Sequence, residues 1–466
     1  MRTTFLVFFT LLCVTVGFSQ EQNNSYTLEE AIAFALENNY TIINANRDLI
    51  AAQKQKWETI AAGLPQITGN ISYQNQLKQP VSLLPAAAFD NTQSTIDVVN
   101  DFFDANQTNF DVNSPDGFIP VVFGTKQQAN ATATLQQQIF NGSYIVGVQA
   151  SKVFIKYSQN NKEKTNLEVR RAVVEAYGNV LLALESVAIL EQNKATLEKN
   201  LFETQKIYEN GLGEEESVEQ LQITLASVES QLKNGIRLKD ITLKMLNIVM
   251  GVSLDAPTTL KENLDELTQK QLVLDLLKED LIMENNIDYK LGYNLNQQRF
   301  YELKLAKSRA LPTLNAFINY GSTSFSDSFD FFKGDQKWFD SSILGFDLNI
   351  PIFSSFKRRA NTQRAKIALE KAKTTLVETE ERIKLQLKNA KSNYTYAIEQ
   401  YKTSKSNLAL AERIEKKNQV KYFEGLATSF ELRQAQVQLY AAQQEYLQSM
   451  TDVINKKTAL EIILNN

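Results

Sequence analysis

The side chains able to do chemistry in this sequence are few and of limited kind. None of its 466 residues is histidine, and Cys13 is the one cysteine. Imidazole acid–base chemistry and imidazole metal ligation are therefore ruled out. Thiolate chemistry would rest on a cysteine inside an apolar N-terminal run. There is no Gly-x-x-x-x-Gly-Lys phosphate loop and no cluster of metal-ligand spacing. Carboxylates are scattered over charged stretches, and no pair stands out as an acid/base couple. The expectation is no enzyme: no catalytic residue, no cofactor and no metal. What remains is contact and electrostatic chemistry. Lys357, Arg358, Arg359 and Arg364 form a basic cluster that could meet lipid phosphates or simply be solvated. A net charge of −4 argues against nucleic acid as a partner.

The elements that must carry these residues come in two copies. Tyr208-x-x-Gly211-Leu212 recurs as Tyr422-x-x-Gly425-Leu426, an offset of 214 (208 to 422). Beyond the first turn Val218, Leu221, Leu225, Val228 and Leu232 form an apolar stripe at spacings of three and four. At the same offset stand Leu432, Ala435, Leu439, Ala442 and Tyr446. Leu64-Pro65 and Leu311-Pro312 pair up as well, as do Phe140 and Phe353. The first copy carries an insertion between its Leu-Pro and Phe landmarks, about 80–126, which reads as a long irregular loop. The repeats are read as 26–252 and 271–465, with 253–270 as a linker.

From Ile352 to Glu424 there is neither Gly nor Pro, a run of 73 residues (352 to 424) rich in strong helix formers. A helix of that order is about 100 Å long at ~1.5 Å per residue. Residues 148–210 match it, interrupted by Gly178 alone. Shorter helices are expected over 27–62, 214–250, 271–310 and 428–464, with Thr27 and Glu30 as a capping box. Their stripes predict a long antiparallel, coiled-coil-like helical layer.

Strict period two follows Pro65: Gln66, Thr68, Asn70, Ser72 and Gln74 alternate with Ile67, Ile71 and Tyr73. Leu344, Phe346, Leu348 and Ile350 alternate with Ser341, Gly345, Asp347 and Asn349. Strands are expected near 65–78, 127–142, 312–323 and 338–352. These lengths suit a transmembrane β-barrel, although a soluble half-buried sheet alternates too. Four strands do not close a barrel, and open edges are not tolerated in lipid, so protomers would share one: a dimer gives eight strands, a trimer twelve. Tyr73, Phe329, Phe331, Phe332, Trp338 and Phe339 near the strand ends could form an interfacial girdle. Residues 1–19 have the layout of a secretory signal peptide, with Arg2 before an apolar run from Phe5 to Val16.

In this combined order the chain resembles the TolC-type outer membrane efflux proteins. The resemblance implies a homotrimer with a shared twelve-stranded barrel in the outer membrane, touching its lipid, and a periplasmic helical tunnel. It implies a passive, gated exit duct for efflux or type I secretion. The partners implied are a periplasmic adaptor (membrane fusion) protein and an inner-membrane transporter. It places Gly211, Leu212, Gly425 and Leu426 at adaptor-docking turns. It places Tyr422 and Glu431 at the periplasmic gate, where three acids around a threefold axis would attract cations. The family's second acid corresponds to Gln434 here, its basic residue to Ala427, and the acid of the first repeat to Ser217. The alternatives are a periplasmic adaptor or a coiled-coil scaffold of an export complex. Whether the cargo is a small molecule or a polypeptide stays open.

Overall fold

Long runs of Ala, Lys, Glu, Leu and Gln with no proline become helix, and alternating polar and apolar runs after Leu-Pro become strand. The computed structural model describes residues 24–89, 91–103 and 116–465; the signal segment expected over 1–19 lies outside them. In chain order the elements are β1 (Ser25–Tyr26), α1 (Leu28–Asn38), α2 (Tyr40–Ala61), β2 (Gln66–Asn75), β3 (Val81–Pro85), α3 (Thr92–Phe103), β4 (Phe118–Val122) and β5 (Gln127–Asn141). Next come α4 (Gly142–Glu209), α5 (Glu215–Met250), β6 (Thr259–Leu260), α6 (Leu264–Gln271), α7 (Ile287–Ser308), β7 (Thr313–Ser326), β8 (Trp338–Asn349), α8 (Lys357–Phe423) and α9 (Ser429–Leu464). The chain is mostly helical with a smaller strand component. The two long helices, α4 and α8, hold 68 and 67 residues.

The chain divides into two units, each drawing on both repeats. One comprises residues up to 56, 149–303 and from 362 on; the other comprises 57–148 and 304–361. The first unit is helical. Its core joins Ala31, Ala35 and Ile42 to Val173, Tyr177 and Val180 of α4, Leu246 and Met250 of α5, Tyr394 and Ile398 of α8, and Leu447, Ile454 and Leu460 of α9. Each fully buried Leu or Ile among them stabilises by about 1.5–3 kcal/mol relative to exposure. Two buried tyrosines also tie down crossing segments. Tyr177 donates to Tyr26 O at 3.1 Å, and Tyr394 donates to Gln271 O at 2.7 Å while accepting from Val273 N–H at 3.0 Å. Glu262 accepts from Leu28 N–H at 2.8 Å and from Lys270 Nζ at 2.7 Å. Burial opposes its charge, but these donors more than offset it and hold its carboxyl below the ordinary carboxylate value.

Four sequence expectations need correction, three of them in the helical segments and one in the insertion. The helix expected over 27–62 is two, α1 and α2, because Asn39 leaves helical geometry. Its amide donates to Val249 O at 2.6 Å and its Oδ1 accepts from Thr41 N–H at 2.8 Å, ending one helix and capping the next. Gly251 (φ +82°) lies against this break, where a Cβ would collide with the Asn38 carbonyl. The helix expected over 271–310 starts only at Ile287. Asn286 Oδ1 caps it through Asp288 N–H at 3.0 Å, and 272–286 is held extended or in short 3-10 turns across the core. The linker expected over 253–270 is structured: β6 pairs in parallel with β1, and α6 buries Leu264 and Leu267.

The second unit holds a four-stranded antiparallel sheet in the order β2-β5-β7-β8. The insertion, expected to be one irregular loop, contains a β3–β4 hairpin and α3 among its described residues. Val81 pairs with Val122 and Leu84 with Ile119 across the ladder, which is enough apolar β-forming content to pair.

Candidate functional site: the paired turns and the two-faced sheet

The residues flagged at the turns come together in the first unit. Gly211 and Gly425 sit at φ +72° and +74°, the left-handed region that favours glycine. Each turn closes the same way. Gly211 N–H donates to Tyr208 O at 2.8 Å and Leu212 N–H to Ile207 O at 3.0 Å. Gly425 N–H donates to Tyr422 O at 3.0 Å and Leu426 N–H to Lys421 O at 2.7 Å. Both leucines are driven outward, Leu212 to 80% and Leu426 to 73% exposure. Such exposure leaves two apolar knobs with no intramolecular cover. The turns are neighbours: one cleft of about 590 Å³ is lined by Thr204, Leu212 and Glu214 from the first and Tyr422, Gly425 and Thr428 from the second. Tyr422 Oη lies 3.3 Å from Thr204 Oγ1 and joins α8 to α4 beside that cleft.

Glu431 has a definite local task. It is the third residue of α9, and its Oε2 accepts from Thr428 N–H at 2.8 Å and Thr428 Oγ1–H at 3.0 Å. Its own N–H donates to Thr428 Oγ1 at 3.2 Å. This reciprocal capping box satisfies two donors that a helix start leaves free. The bonds from Thr428 hold the carboxylate below its ordinary value, with a smaller contribution from Lys421. Thr428 is the functional residue that sequence reasoning passed over. Its signal was present as Thr-x-x-Glu, the pattern that identified Thr27 and Glu30. Deeper in the seam Gln419 Nε2 donates to Asn200 Oδ1 at 2.9 Å and Asn193 Nδ2 to Gln443 Oε1 at 2.9 Å. Burial pushes the Glu415 carboxyl up, and the neighbouring Gln436 works against that. Sequence reasoning had no signal for this polar seam, because its partners lie on different helices.

In the second unit the register sorts the sheet into two faces. Cross-strand partners in an antiparallel pair share a face. Ile67 pairs with Leu135, Leu135 with Ile318 and Ile318 with Leu344; Ile71 pairs with Ala131, Ala133 with Tyr320, and Ala316 with Phe346. On the other face Thr68 pairs with Thr134, Thr134 with Asn319, Asn70 with Thr132 and Asn315 with Asp347. On the apolar face Ile71 is 86% exposed and Phe346 70%. Both outer strands, β2 and β8, pair on one side only. Phe317 interrupts the polar face: its ring covers Gly345 on the next strand, where a Cβ would strike it. At the β2/β7–β8 loop end Tyr73, Phe329 and Phe331 pack edge to face, with centroids 5.3 to 5.8 Å apart.

The model of the outer membrane efflux protein family matches residues 295–466. Over that segment the chain is similar to the outer membrane efflux proteins. The resemblance drawn from the repeat, the Leu-Pro passages and the turns is thereby borne out. The fold points the same way. The chain is similar to the outer membrane protein VceC from Vibrio cholerae, with 16% identity, a TM-score of 0.67, and coverage of 94% of this chain and 96% of that one. It is similar to the CmeC outer membrane channel of Campylobacter jejuni, with 18% identity, a TM-score of 0.68, and coverage of 94% and 85%. It is also similar to the MtrE outer membrane channel of Neisseria gonorrhoeae in its open state, with 14% identity, a TM-score of 0.68, and coverage of 94% and 89%. At such identities the likeness concerns the fold alone. A comparison with curated protein sequences finds no match.

Proposed function

We propose that this chain is the outer-membrane exit duct of an efflux system: a passive homotrimeric channel, joined through a periplasmic adaptor to an inner-membrane transporter. The observation that carries the reading is the sheet. It has one apolar face, one polar face and two open edges. Open edges in a bilayer leave unsatisfied backbone groups at several kcal/mol each, so a sheet of this kind must be closed by copies of itself. Three such sheets make a twelve-stranded barrel with lipid outside and a water-filled lumen inside. Supporting it are helices of about 100 Å (~1.5 Å per residue), enough to continue such a lumen well beyond the membrane.

The paired turns form the far end of the duct. Leu212 and Leu426 are the apolar contacts offered to the adaptor, with Gly211 and Gly425 permitting the tight reversal. Tyr422, tethered to Thr204, and Glu431 stand at the entrance, where three copies of the acid gather negative charge and favour cations. The catalytic role is none. The family model over 295–466 and the fold shared with the channels named above support the efflux reading.

The test is single-particle electron microscopy of the protein extracted from outer membranes in mild detergent. A threefold particle with a tunnel of about 100 Å is expected. A monomer, or a solid rod without a barrel end, overturns the reading in favour of an adaptor or a coiled scaffold.

A further inference from the structure

The two ends of the sheet in the second unit differ in charge. The end of the sheet where helices enter and leave is marked by the pair Thr313–Asn349. Next to it, α7 ends in Lys307 and Arg309, and the chain leaves β8 into Lys357, Arg358 and Arg359. Within that unit the carboxylates near this end are Glu58 and Asp347, and Asp347 lies on the polar face of β8, the face opposite Leu348 and Phe346. The opposite end, beyond the pair Ser324–Trp338, is mixed: Asp327, Asp330 and Asp335 stand among Lys126, Lys333 and Lys337, and Lys333 pairs with Asp330.

Four of the cations at the basic end have no carboxylate partner. Lys307, Arg309, Lys357 and Arg359 are exposed, and among the described residues none of them joins a carboxylate. Elsewhere lysines and arginines routinely find acids three or four positions away, as Lys333 finds Asp330 and Arg382 finds Glu378. Lys357, Arg358 and Arg359 also open α8, where the positive end of the helix dipole disfavours cations. Such a cluster costs free energy unless an anion from outside the chain accompanies it.

The apolar surface says what kind of anion. The lipid-type face of β8, Leu344, Phe346 and Leu348, continues past the strand into Ile350 and Ile352, and then into Phe353 and Phe356. Ile352 is 88% exposed and Phe353 74%. The two rings meet edge to face at 6.1 Å, on a backbone that holds Ser355 and Phe356 in the left-handed region at φ +47° and +62°. Two consecutive non-glycine residues there cost about 1–2 kcal/mol each. Arg358 is fixed beneath them, donating to Ile352 O at 3.1 Å. An aromatic pair with cations immediately behind it matches the boundary between acyl chains and phosphates. A free phosphate has no use for the rings.

We propose that this collar binds anionic phospholipid headgroups at the helix-side rim of the sheet, with Lys357 and Arg359, aided by Lys307 and Arg309, facing the phosphates and Phe353 and Phe356 seated among the upper acyl segments. The proposal rests on the membrane-spanning reading above. It adds a lipid preference that a bare apolar band does not have, confined to one leaflet.

The experiment uses the full-length protein in phosphatidylcholine vesicles doped with spin-labelled phosphatidylglycerol or spin-labelled phosphatidylcholine. The motionally restricted fraction gives the relative association of each lipid. Phosphatidylglycerol is expected to be favoured by about fivefold per engaged cation, and the preference should weaken with salt. The double variant K357Q/R359Q should fall towards parity, K357R should keep the preference, and K333Q/K337Q at the opposite end should not change it. Equal association of both lipids with the unaltered protein overturns the proposal, as does a preference that survives in K357Q/R359Q. Competition by millimolar inorganic phosphate at constant ionic strength also overturns it, because the site would then be a simple anion site. No restricted component with either lipid means that the protein does not span the bilayer, which is a failure of the channel reading and distinct from these.

Discussion

The two turns share a backbone but not a cap. Gly211 and Gly425 differ by two degrees in φ, and each turn closes with the same pair of hydrogen bonds. Beyond the glycine they part. Thr428 caps α9 through a complete reciprocal box with Glu431. At the same offset Glu214 precedes α5 with no side-chain cap, and Ser217 stands where the box would need its acid. The threonine hydroxyl is short enough to reach back to the third residue's N–H; a glutamate at that place is too long to close the ring. Duplication therefore preserved the geometry that reverses the chain, while only the second copy has its helix start pinned.

The comparison can be broken most severely at the glycines. Gly425→Val and Gly211→Val should each destabilise by about 1–3 kcal/mol, because a β-branched residue at this φ is strained. Urea unfolding of the solubilised protein should give equal losses. Clearly unequal ones would mean that the turns are not equivalent.

The caps should separate the turns next. Thr428→Ala should cost about 1 kcal/mol, whereas Glu214→Ala, which removes no capping bond, should cost almost nothing. The pair Glu214→Thr with Ser217→Glu should build the missing box and raise the first turn's protection by about 0.5–1 kcal/mol. Amide exchange at the start of α5 and α9 reports each change locally. No gain from the double variant would show that surroundings, not the missing box, set the difference.

Acid should erase the asymmetry. The Glu431 carboxyl is held below its ordinary value by the Thr428 bonds. A depressed carboxyl gives stability that is present above its unfolded pKa and lost as pH falls through the folded one. Amides at the start of α9 should therefore lose protection in acid, once the pH falls below the ordinary carboxylate range, while those at the start of α5 change less. Equal behaviour of both helix starts in acid would remove Glu431 from the account.

Glu431→Gln is the mildest change. Glutamine keeps the acceptor of the capping box but not its charge, so stability should fall by no more than acid costs the unaltered helix start. If Glu431 also lines a threefold entrance, cation preference and block by divalent ions should fall in planar bilayers. Unchanged selectivity with an intact cap would leave it a purely structural residue.

Some of this was legible in one dimension. The absence of Gly and Pro from 352 to 424 dictated a very long helix, since nothing there can break the ladder of backbone bonds. Period two after each Leu-Pro dictated strands, and the repeated Tyr-x-x-Gly-Leu located both turns. These are properties of neighbours in the chain. The breaks were not legible. Asn39 ends a helix because Val249 O, 210 positions away, receives its amide. Residues 272–286 stay out of helix because Tyr394 and the core hold them, and Leu272 to Leu277 would otherwise pass for a helical stripe.

Left to itself, then, the sequence determined element type, length and duplication, which follow from local propensity and periodicity. Only the tertiary structure decided that β5 and β7 pair and so place strands of both repeats side by side. It likewise set the two turns on one cleft and brought the cations at the end of α7 and after β8 to one rim. Each of these is a contact between distant positions, set by which surfaces can be buried together, and no periodicity encodes it.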